Sequence, residues 1–413
     1  MRVRPFTAVR PPANRAALVS SPPYDVVDRA QAKAEIDRSP QSFMRVLRPE
    51  ATLHDGVSPF DDAVYTAARA AFDAMFDEGA LMREDTPCIY LYRQVWEGRS
   101  QVGVVCCCHV GDYETDVIRK HELTRKDKED DRTRHVLTTD CNAGPVFLTY
   151  RDDPVLADLV DGDTCDRPLF HFIDSNGVTH TGWIAKDPQA YVTAFDRIGH
   201  AYVADGHHRS ASAARAAASL RDETGEDNDA APWNWFLSVL FPAGDLTILP
   251  YNRLVADLNG HTTEAFVHAM AQAGTVTKHD CPVEPGCPGD IGVYVDGAWY
   301  LLQLHDLDDD ADAVESIDCA RLSSAVLGPV LNIHDLRTDP RIAFLGGVHG
   351  VEALQAKVDA GEAAAAFAMH AVSIDQLMDV ADGGHCMPPK STWFEPKLRS
   401  GLFVHKLDAP ARV

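Results

Sequence analysis

The sequence predicts an α+β fold, a mixed α/β chain with a sheet at its core, and three kinds of segment carry that expectation. The first is a set of short apolar runs bounded by turn residues. CIYLYRQVW (88–96) and SQVGVVCCCHV (100–110) flank Glu97-Gly98 and read as a hairpin, and PVFLTY (145–150) reads as a buried strand. The second is an amphipathic helical period over residues 60–79, closed by Gly79. The third is the junction AYVADGHHRSASAARA (201–216), where an apolar run stops at Asp205-Gly206 and an alanine-rich helix follows.

Along the chain, residues 1–30 are rich in Pro and Arg, and Pro22-Pro23 forces an extended or turning backbone. Residues 111–142 are densely charged, and residues 225–230 form an acidic, loop-like stretch. PLFHFID (168–174) and THTGWIA (179–185) are strand-like, as are FLSVLF (236–241) and LTILPYNRLV (246–255) around Ala243-Gly244-Asp245. Beyond about residue 258 helices and short strands alternate, with a hairpin at Asp296-Gly297. The expected organisation is an N-terminal α/β region (1–110), a core (111–257) and a C-terminal α/β region (258–413).

A chain of 413 residues is long enough for two or three domains with proper cores. Its apolar content of 45% and charged content of 24% are those of a globular protein. The net charge of −24 argues against nonspecific nucleic-acid binding, which needs a surplus of Lys and Arg. A signal-like start and a long apolar run are both missing, so the expectation is a cytoplasmic chain that does not span a membrane. The ten cysteines include no CxxC pair, and Cys106, Cys107 and Cys108 alternate between strand faces. They read as buried thiols in a reducing compartment, not as a zinc site.

The junction at Asp205 is the strongest chemical signal. A strand that turns on a glycine into a helix leaves the first helical N–H groups unpaired, and these groups with the helix dipole attract an anion. Asp205 is placed to cap the helix or to hold a metal, and Gly206 lets the backbone approach a ligand. Arg209 sits in the first turn, where dipole logic prefers an acid, so it calls for an anion to hold. An ordinary capped helix with His207 and His208 solvated is the plainer alternative.

Three further clusters could carry chemistry. His121-Glu122-Leu123-Thr124, followed by Lys126, Lys128 and Arg132, could place a general base beside cations that draw phosphate. A solvated charged helix is the alternative, and Arg125 at the fifth position rules out the zinc-protease pattern. Lys390-Ser391-Thr392, in MPPKSTWFEPKLRSGL (387–402), offers a cation and two hydroxyls but lacks the glycines of a Walker site, and a surface turn would explain it equally. Asn332-Ile333-His334-Asp335 with Arg337 and Arg341 is polar and loop-like. The sequence contains no G-x-G-x-x-G, Walker A, G-x-S-x-G or H-E-x-x-H, which argues against the ordinary dehydrogenase, P-loop, hydrolase and zincin classes.

RPF-x-A-x-RP near the start, then PPYDVV, HELT, ADGHHR and MPPKSTWFEPKL, resemble in the same order the prokaryotic domain-of-unknown-function family ten-fifteen, over about residues 4 to 404. That family looks related to the ParB/sulfiredoxin-like superfamily and, through it, to the free serine kinases, which phosphorylate free L-serine with ATP or ADP. The resemblance implies a ParB/sulfiredoxin-like nucleotide-binding core with N- and C-terminal additions. It implies a kinase-like phosphotransferase in which Gly206, His207, His208 and Arg209, with Lys390, Ser391 and Thr392, hold the nucleotide. Glu122 would be the catalytic carboxylate, with His121 and Asp205 as further catalytic candidates. Arg132 and Lys128 would meet the small-molecule substrate, and Asp205 would also carry Mg²⁺. Sulfiredoxins have a reactive cysteine where this chain has His207, which argues against their chemistry. A ParB-like nucleotide-dependent DNA-binding protein and a non-catalytic nucleotide-binding regulator are the alternatives. The charge of −24 tells against nucleic acid as a partner.

Overall fold

A computed structural model describes residues 1–226, 228–307 and 311–410. By contacts these residues divide into two units. The first holds residues 1–120, 124–246 and the chain from 396 on, and the second holds 121–123 and 247–395.

The first unit is built on a nine-stranded mixed sheet. Its strands are β1 (Val3–Arg4), β2 (Tyr90–Trp96), β3 (Arg99–His109), β4 (Ile118–Arg119), β5 (Val146–Tyr150), β6 (Phe170–Ile173), β7 (Thr179–Ile184), β8 (Ala201–Asp205) and β9 (Trp235–Pro242). The order is β4-β8-β5-β9-β3-β2-β7-β6, with β1 added on β3. The expected hairpin at Glu97-Gly98 joins β2 to β3 with Trp96 opposite Arg99, and both turn residues take positive φ. Leu91, Val104, Leu148, Val203 and Leu240 from five different strands are fully buried in one core. Each such side chain contributes about 1.5–3 kcal/mol by leaving water.

Helix α1 (Asp62–Asp77) is capped by the Asp61 carboxylate, which accepts from the Ala63 amide at 2.9 Å. It buries Val64, Tyr65, Ala68, Phe72 and Met75 at helical spacing, and Gly79 at φ 64° lets the chain turn away. The charged stretch forms α2 (Lys126–Thr139), with Asp127 and Glu129 in the first turn, where the dipole favours acids. Helix α3 (His207–Thr224) follows β8 directly.

The second unit has a six-stranded sheet of β10 (Tyr251–Val255), β11 (Gly274–His279), β12 (Asp290–Val295), β13 (Ala298–Leu304), β14 (Ile342–Gly346) and β15 (Ala365–Ala368), ordered β11-β13-β12-β15-β10-β14 and antiparallel throughout. Asp296-Gly297 closes the β12-β13 hairpin as expected. Helix α4 (Gly350–Asp359) covers one face, packing Val351 and Leu354 on Leu254 and Ala366. The strands expected on either side of Ala243-Gly244-Asp245 form, and they do not pair with each other. That triplet is a short 3₁₀ turn, β9 pairs with β3 and β5, and Thr247–Leu249 pairs instead with Trp393–Glu395. The side chains on β9 are buried on both faces, so its ladder is used up inside the sheet.

Candidate functional site

The strand β8 ends at Asp205, Gly206 takes φ 99° and ψ 32°, and α3 starts at His207. The left-handed glycine lets an extended strand enter a helix within one residue. The first intrahelical bond runs from the Ser210 amide to the Gly206 carbonyl at 3.0 Å, so the His207, His208 and Arg209 amides lie ahead of the helical ladder.

Asp205 Oδ2 accepts from Arg209 at 2.7 Å, and its Oδ1 lies 3.6 Å from the Lys397 ammonium. The Arg209 guanidinium also donates to the Pro145 carbonyl. It folds back over the glycine, and a Cβ on Gly206 would sit 2.9 Å from Arg209 Nε. Burial opposes charging this guanidinium, but Asp205 and Asp25 outweigh it and hold its pKa above the ordinary value. Two cations thus meet at the Asp205 carboxylate, and the Asp25 charge bears on Arg209 as well.

His207 is buried and His208 half-buried. Nε2 of His208 accepts from the Arg125 amide at 3.1 Å, which makes that nitrogen the unprotonated one. The two histidines are therefore not simply solvated.

Arg209 also lines a cavity of about 40 Å³ with Tyr24, Arg132, His135, Asn142 and Ser400. That is room for a few waters at most, far less than a nucleotide. Arg132 is held on the Asp131 carboxylate at 2.7 Å and lies over the Tyr24 ring at 4.4 Å. Burial, then Asp25, pushes the Tyr24 hydroxyl up to about 12 against the pull of Arg132 and Arg209. Lys128 is half-buried on α2, its ammonium 5.9 Å from the centre of the Phe60 ring.

The HELT stretch is not helical: α2 begins only at Lys126. His121 and Glu122 follow β4 and group with the second unit, where the His121 carbonyl accepts from the Met387 amide at 2.8 Å. His121 is buried and Glu122 half-buried. Lys390, in the second unit too, takes φ 60° in an exposed turn, with its ammonium 5.4 Å from the Tyr251 ring. The Ser391 hydroxyl donates to the Pro388 carbonyl at 2.7 Å and meets Cys319 Sγ at 2.9 Å. Thr392 is half-buried. In the remaining polar cluster Arg341 ties the Leu331 and Asn332 carbonyls to Asp339, so it holds its own loop.

Sequence reasoning left Lys397, Tyr24 and Asp25 without a role. All three lie inside the quoted PPYDVV and MPPKSTWFEPKL stretches, and only the fold brings them to Arg209 and Asp205.

All ten cysteines are free thiols, and Cys106, Cys107 and Cys108 are buried. Among the described residues no three His, Cys, Asp or Glu side chains converge as a metal cluster, and no helix is long and apolar enough to cross a membrane.

Among solved structures the chain is similar to a free serine kinase mutant in complex with AMP, at 12% identity over 71% of this chain and 86% of that chain, with a TM-score of 0.37. It is similar to SbnI with a C-terminal truncation from Staphylococcus aureus, at 11% identity over 75% and 90%, with a TM-score of 0.39. It is also similar to a conserved hypothetical protein from Pyrococcus furiosus, at 12% identity over 75% and 97%, with a TM-score of 0.34. These likenesses are loose. No curated protein matches the chain. The family described as protein of unknown function DUF1015 matches residues 3–320, and the chain belongs to that family.

Proposed function

We propose that this chain is a phosphotransferase that uses ATP or ADP to phosphorylate the hydroxyl of a small metabolite, with free L-serine as the first substrate to try. The observation that carries the proposal is the strand–glycine–helix turn with its two cations on one carboxylate, Arg209 at 2.7 Å and Lys397 at 3.6 Å from Asp205. Under this proposal residues 111–257 form a ParB/sulfiredoxin-like core, with residues 1–110 and 258–413 as additions. Gly206 and the amides of His207, His208 and Arg209 receive the nucleotide phosphates, and the Arg209 charge offsets theirs. Phosphoryl transfer asks mainly for positioning and charge stabilisation, which such a turn supplies.

Glu122 is the residue assigned to take the acceptor proton, with His121 and Asp205 as the next candidates. Arg132 and Lys128 are assigned to the substrate, and Lys390, Ser391 and Thr392 to the nucleotide. Nucleotide phosphates bring Mg²⁺ with them, and Asp205 is the carboxylate assigned to it. Oδ2 is committed to Arg209, so an ion would meet Oδ1 and would have to displace Lys397 there. When bound, it would offset phosphate charge.

The decisive experiment incubates the purified chain with ATP or ADP, Mg²⁺ and a panel of hydroxylated metabolites that includes L-serine. Phosphorylated product is the expected outcome. Nucleotide binding without product from any acceptor would leave a non-catalytic binder and defeat the enzyme proposal.

A further inference from the structure

Arg253, in the middle of β10, is 1% exposed and is the largest fully buried side chain among the described residues. Its Nη1 donates to the Tyr251 carbonyl of the same strand. Nε and Nη2 are buried and have no hydrogen-bond partner among the described residues. These two nitrogens form one edge of the planar fork, the edge that grips an oxyanion. The guanidinium carbon lies 5.6 Å from the centre of the Phe344 ring, its cross-strand neighbour on β14, and a ring face offers no such acceptor.

Burial pulls the Arg253 pKa below its ordinary value, and the groups that offset this are the Cys319 thiol first and Tyr251 second. Neither is a carboxylate, so a buried cation stands here without the anion it ordinarily needs. Cys319 is itself 3% exposed and is a free thiol. Its Sγ lies 2.9 Å from Ser391 Oγ, and the single hydrogen of that hydroxyl goes to the Pro388 carbonyl at 2.7 Å. Between sulfur and oxygen the thiol is therefore the donor, which leaves the sulfur lone pairs to the guanidinium. Sulfur is a weak acceptor and does not satisfy a charged fork. An oxygen carried by that sulfur does, because it is a strong acceptor and, once ionised, also supplies the missing negative charge.

We propose that Cys319 is a site of oxidation by peroxide, at which the oxygen added to the sulfur is received by Nε and Nη2 of Arg253. The sulfur attacks one peroxide oxygen, the S–O bond forms and the O–O bond breaks. The displaced oxygen takes the thiol proton and leaves as water, so that Cys–SH and H₂O₂ give Cys–SOH and H₂O, the sulfur oxidised and the peroxide reduced. The guanidinium favours this step by offsetting the charge that develops on oxygen. Peroxide is scarcely larger than water, so a small local opening admits it where bulkier oxidants are held out. The site belongs wholly to the second unit and does not rest on the function proposed for the Asp205 turn.

Brief exposure of the full chain to hydrogen peroxide, quenched with catalase and followed by unfolding in dimedone and peptide mass spectrometry, tests this. Cys319 should carry the sulfenic adduct at peroxide levels about tenfold below those that mark the exposed Cys165, Cys281 and Cys287. A thiol reductant added before the dimedone should abolish the adduct. Arg253→Met exchanges an unpaired buried charge for an apolar chain, which costs the fold little, and should slow the oxidation of Cys319 about tenfold or more. The proposal is overturned if Cys319 of the parent stays reduced at peroxide levels that oxidise the exposed thiols, a result that needs no variant. It is equally overturned if folded Arg253→Met oxidises at Cys319 as fast as the parent.

Discussion

Each unit contains a strand that turns on glycine into a helix, and the two turns differ in the charge they bring. At β8-α3 the first helical turn holds Arg209, folded back on Asp205 with Lys397 beside it. At β14-α4 the first turn holds Glu352, whose carboxylate reaches back over Gly350. The backbones differ: the Gly350 amide already donates to the Gly347 carbonyl, whereas the first intrahelical bond of α3 comes only at the Ser210 amide. The side chains differ too: cations in the first turn suit phosphates, whereas a turn that already carries an acid suits a ligand with little net negative charge. A helix N-terminus is thus an anion site only as far as the neighbouring side chains leave charge to be met.

The largest effect tests whether chemistry belongs with the cationic turn. Glu122→Gln keeps size and hydrogen bonding but removes the basic oxygen. Turnover should fall about a hundred- to ten-thousand-fold while nucleotide affinity stays within a few-fold. Stopped-assay rates and calorimetry on the same sample check both halves. Unchanged turnover would move the base to His121 or Asp205.

The first unit should also fail first in acid. Burial pulls the His135 and His405 imidazoles down to about 4, each ring donating Nε2–H to a carbonyl, of Val46 and Pro232 respectively. Their folded pKa lies below the unfolded value, so the unfolded chain takes up the proton first as pH falls. The stability they lend is present above about 6.5 and is lost between about 6.5 and 4, up to about 3 kcal/mol each. Hydrogen exchange of α2 as a function of pH reads this directly. His135→Gln should flatten the dependence, and an unaltered acid profile in that variant would exclude His135 as a source.

Much of this was legible in the residues. The hairpin at Glu97-Gly98, the helix ending at Gly79 and the strand–glycine–helix junction all depend on local chemistry, and local chemistry is what a single sequence states. The family resemblance rested on ordered motifs and agrees with the match over residues 3–320. Long-range partners were not legible. Nothing near Arg209 in the sequence announces that Lys397, almost two hundred residues away, shares its carboxylate. The HELT stretch looked like the start of a charged helix because its composition matches that of α2, yet the helix waits until Lys126. The contacts of Ser391 with Pro388 and Cys319 are likewise a matter of packing.

A smaller effect separates the two turns by ligand. Arg209→Ala removes a charge-assisted contact worth about 1.5–3 kcal/mol, so nucleotide affinity should fall roughly ten- to a hundred-fold. Glu352→Ala, at the other turn, should leave it unchanged. Equal affinities in the parent and the Arg209 variant would remove the β8-α3 turn from the site.

The smallest effect compares the two glycines themselves. Gly206 lies in the left-handed helical region (φ 99°, ψ 32°), where alanine pays a backbone cost of about 1–2 kcal/mol. Gly350 (φ 72°, ψ 174°) lies in a region essentially confined to glycine, where the cost is higher, up to about 3 kcal/mol. What the new methyl meets differs. At Gly350 the near atom is Glu352 Oε2, the far end of an exposed side chain that can swing aside. At Gly206 the methyl meets the Arg209 guanidinium at 2.9 Å, and that side chain, only 9% exposed, is fastened to Asp205 and Pro145. Moving it breaks a charge-assisted pair in a buried setting, adding about 1–2 kcal/mol. Denaturant melts of Gly206→Ala should therefore show a loss of about 2–4 kcal/mol, the backbone and side-chain parts together. Adding Arg209→Ala to Gly206→Ala should cost less than Arg209→Ala costs alone, because the pair is already disturbed. Full additivity of the two changes would mean that the guanidinium does not rest on the glycine.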